Sequence, residues 1–134
     1  MALNLNTYLG LDATALKLQS KRMEVIADNL ANADTPGYKA RDIDFRAAMA
    51  QAGGGADAPV RLATTSPGHI STDPATAVDA SLKYRTPLAP SLDGNTVDSQ
   101  QEQAAFADNT VRYQATLSFL SGKFKSLLTA ITGQ

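Results

Sequence analysis

Leu9, Leu16, Met23 and Leu30 stand seven residues apart, and the C-terminal third repeats the spacing with Phe106, Tyr113, Leu120 and Leu127. A seven-residue apolar repeat keeps one face of an α-helix against a partner helix and imposes a slight left-handed wrap. A long helix is therefore expected at each end of the chain. Ala13, Ser20 and Ala27 follow the first stripe four residues on, and Ile26 fills the adjoining seam, so small residues permit close approach. From Thr7 to about Asn32 such a helix spans roughly 40 Å at 1.5 Å per residue, long for a chain of 134 residues. In the C-terminal segment Leu117, Phe124 and Ile131 form a further row of sevens, four residues on from members of the first. The expected fold is mainly α, a coiled-coil-like pair of terminal helices with an irregular middle. An αα pair closed on itself and helices shared between subunits both fit this pattern, and the pair could form first and then stack.

Leu11, Leu18 and Val25 make a second apolar row about 200° around the N-terminal helix at 100° per residue. A helix with two apolar faces is either buried on both sides or shared between subunits, and because so short a chain supplies little to cover both, contact with another subunit is the favoured expectation over burial within the chain.

The N-terminal helix meets a hard stop. In the stretch from Ala27 to Phe45, ADNLANADTPGYKARDIDF, Pro36 lacks a backbone donor, Gly37 tolerates positive φ, and Thr35 before the proline is pushed out of the helical region. The helix should end near Asn32 to Asp34, with Asn29 and Asn32 placed to bond its last carbonyls. The C-terminal helix should start at Thr96 or Asp98, with Glu102 favouring the positive end of its dipole. Asp93-Gly94-Asn95 just before it reads as a tight turn in which Gly and Asn both suit positive φ. Residues 1–34, 35–97 and 98–134 thus form helix, irregular middle and helix of a single domain. Within the middle, Asp44 to Ala52 is a candidate short helix, and Val60 to Thr65 and Lys83 to Thr86 are candidate strands. Gly53 to Gly55 is a flexible connector, and Pro67, Pro74, Pro87 and Pro90 break up anything longer. This segment is expected to be the least ordered.

Twelve basic and thirteen acidic residues give a net charge of −1, which favours neither nucleic acid nor an anionic membrane as partner. With no cysteine, disulfides and thiolate metal sites are excluded. No apolar run approaches the ~20 residues that span a bilayer, and MALNLNTYLGLD lacks the features of an ordinary secretory signal. His69 is the only histidine and is expected in a turn, at the surface or a subunit contact. Asp42 and Asp44 lack a calcium-loop or substrate-loop context and are expected on a solvated edge or bonded to backbone. No catalytic, cofactor or metal site is expected.

The string N-L-A-N-x-x-T-P-G-Y-K after a long N-terminal helix, carrying Asn29, Asn32, Thr35, Pro36, Gly37 and Tyr38, resembles the bacterial flagellar axial proteins, the rod and hook family. Ala40 to Phe45 (ARDIDF), Tyr84 to Pro87 (YRTP), Ser91 to Asp98 (SLDGNTVD, with Asp93, Gly94 and Asn95) and the following Phe106, Asn109 and Tyr113 extend the resemblance and point to the proximal rod type. It weakens only across Ala47 to Ala58.

The resemblance implies a structural subunit without cofactor, whose terminal helices form the inner layer of a tube while the middle elaborates the outside. Implied partners are copies of itself, other rod proteins, an adaptor at the membrane-ring base and the flagellar type III export apparatus, through which such chains pass uncleaved. A T-x-x-x-H-I element recurs in the family, which makes His69 structural there. Stripe residues Leu9, Leu16, Met23, Ile26, Leu30, Phe106, Tyr113, Leu117, Leu120, Phe124, Leu127 and Ile131 become the expected assembly surface. On this reading the termini of the isolated chain are partly disordered, because Leu9, Leu16, Leu120 and Leu127 lack neighbours. The competing reading is a small soluble helical hairpin presenting a proline-rich loop to a partner.

Overall fold

A computed structural model of the chain describes residues 5–52, 82–87 and 91–133. The elements are α1 (Leu5–Ala31), β1 (Arg41–Ile43), α2 (Phe45–Ala52), β2 (Leu82–Tyr84) and α3 (Ser99–Thr132). The connector at 53–55, the candidate strand at 60–65, His69, Pro67, Pro74 and Pro90 lie outside the described residues.

Local chemistry sets the element ends. α1 closes at Ala31, where the Asn32 amide side chain donates to the Asp28 carbonyl at 2.8 Å, and the chain then turns through Gly37 at φ 74°. Asp98 caps α3, its carboxylate accepting from the backbone N–H groups of Gln100 and Gln101. Gly133 ends α3 in the left-handed conformation. Asp44 caps α2 in the same way, accepting from Ala47 N–H at 3.0 Å. β1 and β2 pair antiparallel with Arg41 opposite Tyr84, Asp42 opposite Lys83 and Ile43 opposite Leu82. The strand after the SLDGNTVD-facing turn, β1, has no counterpart in the sequence reading; three residues are too few to display an alternation.

The core lies on the second face of α1. Leu18 and Val25 are buried with Ile43 of β1 and Ala48 of α2, and Phe45, Met49 and Leu82 pack around them. This overturns the expectation that the Leu11, Leu18, Val25 row meets another subunit. Residues 41–52 fold back along α1 and cover Leu18 and Val25, leaving only Leu11, beyond their reach, 53% exposed.

α1 and α3 run antiparallel: Asn29 faces Glu102, Gln19 faces Asn109 and Thr116, and Asp12 faces Lys123. The seam differs from the one that hydrophobicity predicts. Glu102, Asn109, Thr116 and Lys123, themselves seven apart, meet α1, while Tyr113, Leu120 and Leu127 are half-buried beside them. Leu117, Phe124 and Ile131 turn away and are 48, 53 and 83% exposed. Leu9, Leu16 and Met23 are half-buried, Ile26 is wholly buried, and Leu30 and Phe106 are partly exposed.

Candidate functional site

The two turns that interrupt the chain dock on each other. Gly37 N–H donates to the Asp93 carbonyl at 2.9 Å, and Thr96 N–H to the Tyr38 carbonyl at 3.0 Å. The Thr96 hydroxyl accepts from Ala40 N–H at 2.7 Å, and the Lys39 ammonium donates to the Gly94 carbonyl at 2.7 Å. The backbones approach closely enough that a Cβ on Gly94, whose φ is 74°, would lie 3.8 Å from Gly37 Cα. Both positions require glycine for their conformation.

Asn95 lies buried at this junction and holds the end of α1 and the turn that follows it, from 60 residues away in sequence. Its amide nitrogen reaches the carbonyls of Asn32, Ala33 and Thr35 at 3.0, 2.7 and 3.0 Å. Its side-chain oxygen accepts from Val97 N–H at 2.8 Å, holding the amide at that angle. Asn95 was expected at positive φ. Among the described residues only Gly37, Gly94 and Gly133 adopt it, and the side chain's work is capping rather than turning.

Beneath the junction, Asn29 does something other than close its own helix. Its amide bonds both backbone groups of Arg41, donating to the carbonyl at 2.7 Å and accepting from the N–H at 3.0 Å, as a neighbouring strand would. The same nitrogen lies 3.3 Å from a Glu102 carboxylate oxygen, and the Tyr38 hydroxyl donates to Asn29 Oδ1 at 3.5 Å. One buried amide therefore ties α1 to β1 and α3.

Four charges of alternating sign continue from it. Arg22 grips Asp42 with a two-pronged fork at 2.9 and 3.0 Å. Arg85 bridges Asp42 at 3.2 Å and Glu102 at 2.6 Å, and Glu102 is wholly buried. It lies in the first turn of α3, as expected for the helix dipole, and makes this ion pair as well. Burial works to raise the Asp42 carboxyl, but the Arg22 fork and charge, with the Ile43 N–H, outweigh it and hold the group below its ordinary value. The Asp42 hydrogen bond, working against desolvation, correspondingly raises Arg22. Asp44 goes elsewhere, capping α2 and pairing with Lys83 at 2.6 Å, so the two carboxylates do not act together.

The carboxyls of Asp42, Asp44 and Asp93 all lie below the ordinary 3.8 when folded. Asp44 is lowered first by its Lys83 bond and Asp93 by its Ser91 bond. A depressed folded pKa gives stability that is complete above the unfolded value and lost as pH falls through the folded one. Thermal midpoints are therefore expected to be flat from about pH 7 to 5 and to fall below about pH 4. Asp42→Asn should shrink that acid-side drop, and an unchanged drop would count against the Asp42 pairing.

Farther along the seam, Asn109, buried, donates to the Gln19 backbone carbonyl at 2.8 Å, and the Gln19 amide donates to Thr116 at 3.2 Å. Lys123 pairs with Asp12 and sits 5.2 Å over the Tyr8 ring. Sequence reasoning had not assigned roles to Arg22, Gln19, Arg85 or Thr116. The readable signal was a set of polar residues at seven-residue spacing on α3 within a helix otherwise selected by its leucines.

The separate strings NLAN, TPGYK, ARDIDF, YRTP and SLDGNTVD thus converge on one junction. The family model described as flagella basal body rod protein matches residues 12–39, from the body of α1 through the TPGYK turn. The flagellar basal body rod protein FlgB of Escherichia coli strain K12 is 47% identical, with 95% of this chain and 94% of the relative aligned. Its namesakes from Cereibacter sphaeroides (strain ATCC 17029) and Aeromonas hydrophila are 46% and 42% identical, aligned over 94% and 100% of this chain and 94% and 99% of their own.

The chain belongs to the FlgB family of flagellar basal body rod proteins.

It is a structural rod subunit, of a family that is structural rather than enzymatic. For such a subunit the junction fixes the angle at which the N-terminal helix, the middle segment and the C-terminal helix leave one point.

Proposed function

We propose that this rod subunit polymerises through its terminal helices into the tubular drive shaft that transmits torque and encloses the export channel. The whole chain acts as one rod domain, residues 1–34 and 98–134 building the inner layer and 35–97 the outside. It works without substrate or cofactor, in the periplasmic rod, after export through the flagellar type III apparatus without cleavage. Its neighbours are copies of itself, other rod proteins and the adaptor at the membrane-ring base. Direct membrane insertion is not part of this reading: no helix among the described residues is long and apolar enough to cross a bilayer.

One observation carries the proposal. α3 leaves Leu117, Phe119, Phe124, Leu128 and Ile131 between 48 and 83% exposed along one helix, a concentration of apolar side chains that marks an interaction surface rather than a finished monomer. Open heterologous contacts between such surfaces build a helical tube.

Deleting the gene and imaging purified basal bodies tests it. The expected result is a membrane ring without a rod, restored by the wild-type gene. Complete basal bodies on swimming cells would remove the rod reading and favour a small soluble binding module.

A further inference from the structure

Charge is segregated by sign along the two long helices. From Met23 to Tyr38 the sequence carries Glu24, Asp28 and Asp34 and no base, whereas from Thr110 to Gln134 it carries Arg112, Lys123 and Lys125 and no acid. The antiparallel pairing keeps these stretches apart, because the acidic end of α1 lies beside the start of α3, with Asn29 against Glu102, and the basic end of α3 lies beside the start of α1, with Lys123 against Asp12. Arg112 and Lys123 are taken by Asp108 and Asp12, and Glu24 by Lys21. Lys125, Asp28 and Asp34 are exposed and enter no ion pair among the described residues.

The shapes match as the charges do. On α3, Lys125 lines shallow grooves with Leu117, Ser121, Phe124 and Leu128. On α1, Ser20, Glu24, Ala27, Asp28 and Ala31 form an exposed face of mostly short side chains. At heptad spacing the positions 124, 121, 128 and 125 occupy the same angles around their helix as 27, 31, 24 and 28 around theirs. Large apolar knobs thus stand opposite a low surface, and Lys125 opposite Asp28.

We infer that, in the rod, a second copy of this chain lays the outer face of the C-terminal half of its α1 against the exposed flank of α3, with Lys125 meeting Asp28. The inference rests on the rod-subunit reading and names the partner face. Within one chain the residue facing Lys125 lies near position 10, so the second copy is displaced along the helix axis by roughly 27 Å at 1.5 Å per residue. The two faces are different and the copies are displaced along the axis, so the contact does not close into a ring and repeats from copy to copy. Leu117, Phe124, Leu128 and Ile131 leave on the order of 450 Å² of apolar surface, short of the ~800 Å² per partner of a stable binary complex. The contact therefore holds in the repeated array and is weak between two isolated copies.

The absence of cysteine makes cross-linking unambiguous. Cells whose only copy carries Ala31→Cys and Ser121→Cys are expected, on oxidation of assembled basal bodies, to yield covalent dimers and higher multiples of this chain. Either cysteine alone should yield no multiples. A cross-link within one chain is out of reach, since its two positions lie roughly 25 Å apart along the pair. Swimming cells that give no multiples, or only a product with a different rod protein, overturn the inference while leaving the rod reading intact. Complete basal bodies without the chain overturn the rod reading itself. If the cysteine pair stops swimming, charge reversal decides: Lys125→Asp and Asp28→Lys should each lower rod yield about threefold or more, and together restore most of it. Losses that simply multiply in the double variant overturn the contact.

Discussion

Arg85→Met is expected to destabilise the chain by about 3–5 kcal/mol, because it leaves Glu102 buried and charged without a cation. Glu102 has no exposed surface, and its strongest bond is the 2.6 Å contact with Arg85. The same substitution removes one of the two arginines on Asp42 but leaves the Arg22 fork in place, so most of the loss belongs to Glu102. A domain of this size has ~5–15 kcal/mol in all, and a urea midpoint should register the change plainly. Arg85→Lys should recover only part, since an ammonium cannot bridge two carboxylates with a planar fork. Arg85→Met with Glu102→Leu removes both charges and should regain at least half of the loss, because a buried ion pair replaced by apolar groups is often nearly neutral. A loss under about 1 kcal/mol in the single variant would show that the row of charges does not hold the junction.

Asn95→Asp should have a comparable effect through a different cause. The wild-type amide donates toward three carbonyls at and just beyond the end of α1. A carboxylate keeps the size and the acceptor for Val97 N–H but places negative charge against those carbonyls, at the negative end of a helix dipole and out of water. The expected loss is about 3–5 kcal/mol, with Asn95→Ala losing less, about 1–3 kcal/mol, from unmade hydrogen bonds alone. The pH dependence separates the two. The introduced carboxyl has a folded pKa raised by its surroundings, so protonation restores a donor and the variant gains stability relative to wild type as pH falls through that value. An Asn95→Asp loss equal to that of Asn95→Ala, and flat with pH, would show that the amide does not cap α1.

Much of the frame was legible because its causes are local. Pro36 and Gly37 stop a helix whatever surrounds them, and α1 ends at Ala31, just ahead of Asn32. Asp98 offers a cap at the right place, and α3 starts at Ser99. The short helix after Asp44 was legible too, and Asp44, expected on a solvated edge or bonded to backbone, proves to cap it. What the residues touch across the fold was less legible. Asn29 and Asn95 look like residues that serve their own turn, and each instead serves a segment distant in sequence, because a buried amide bonds whichever backbone groups the fold leaves open.

Sequence by itself determined the two long helices, their stops and the family, because heptad spacing, prolines and caps act within a few residues. Only the tertiary structure decided which faces are used. Heptad spacing offers two apolar rows for the seam, Phe106, Tyr113, Leu120 and Leu127 or Leu117, Phe124 and Ile131, yet Asn109, Thr116 and Lys123 occupy it, since each finds a partner on α1. Likewise Leu18 and Val25 belong to the chain's own core because residues 41–52 return over them. An apolar residue gains from any dry neighbour, whereas a buried polar one is stable only against its complement. The polar residues therefore fix the rotation of the two helices, and the apolar row of Leu117, Phe124 and Ile131 is left at the surface.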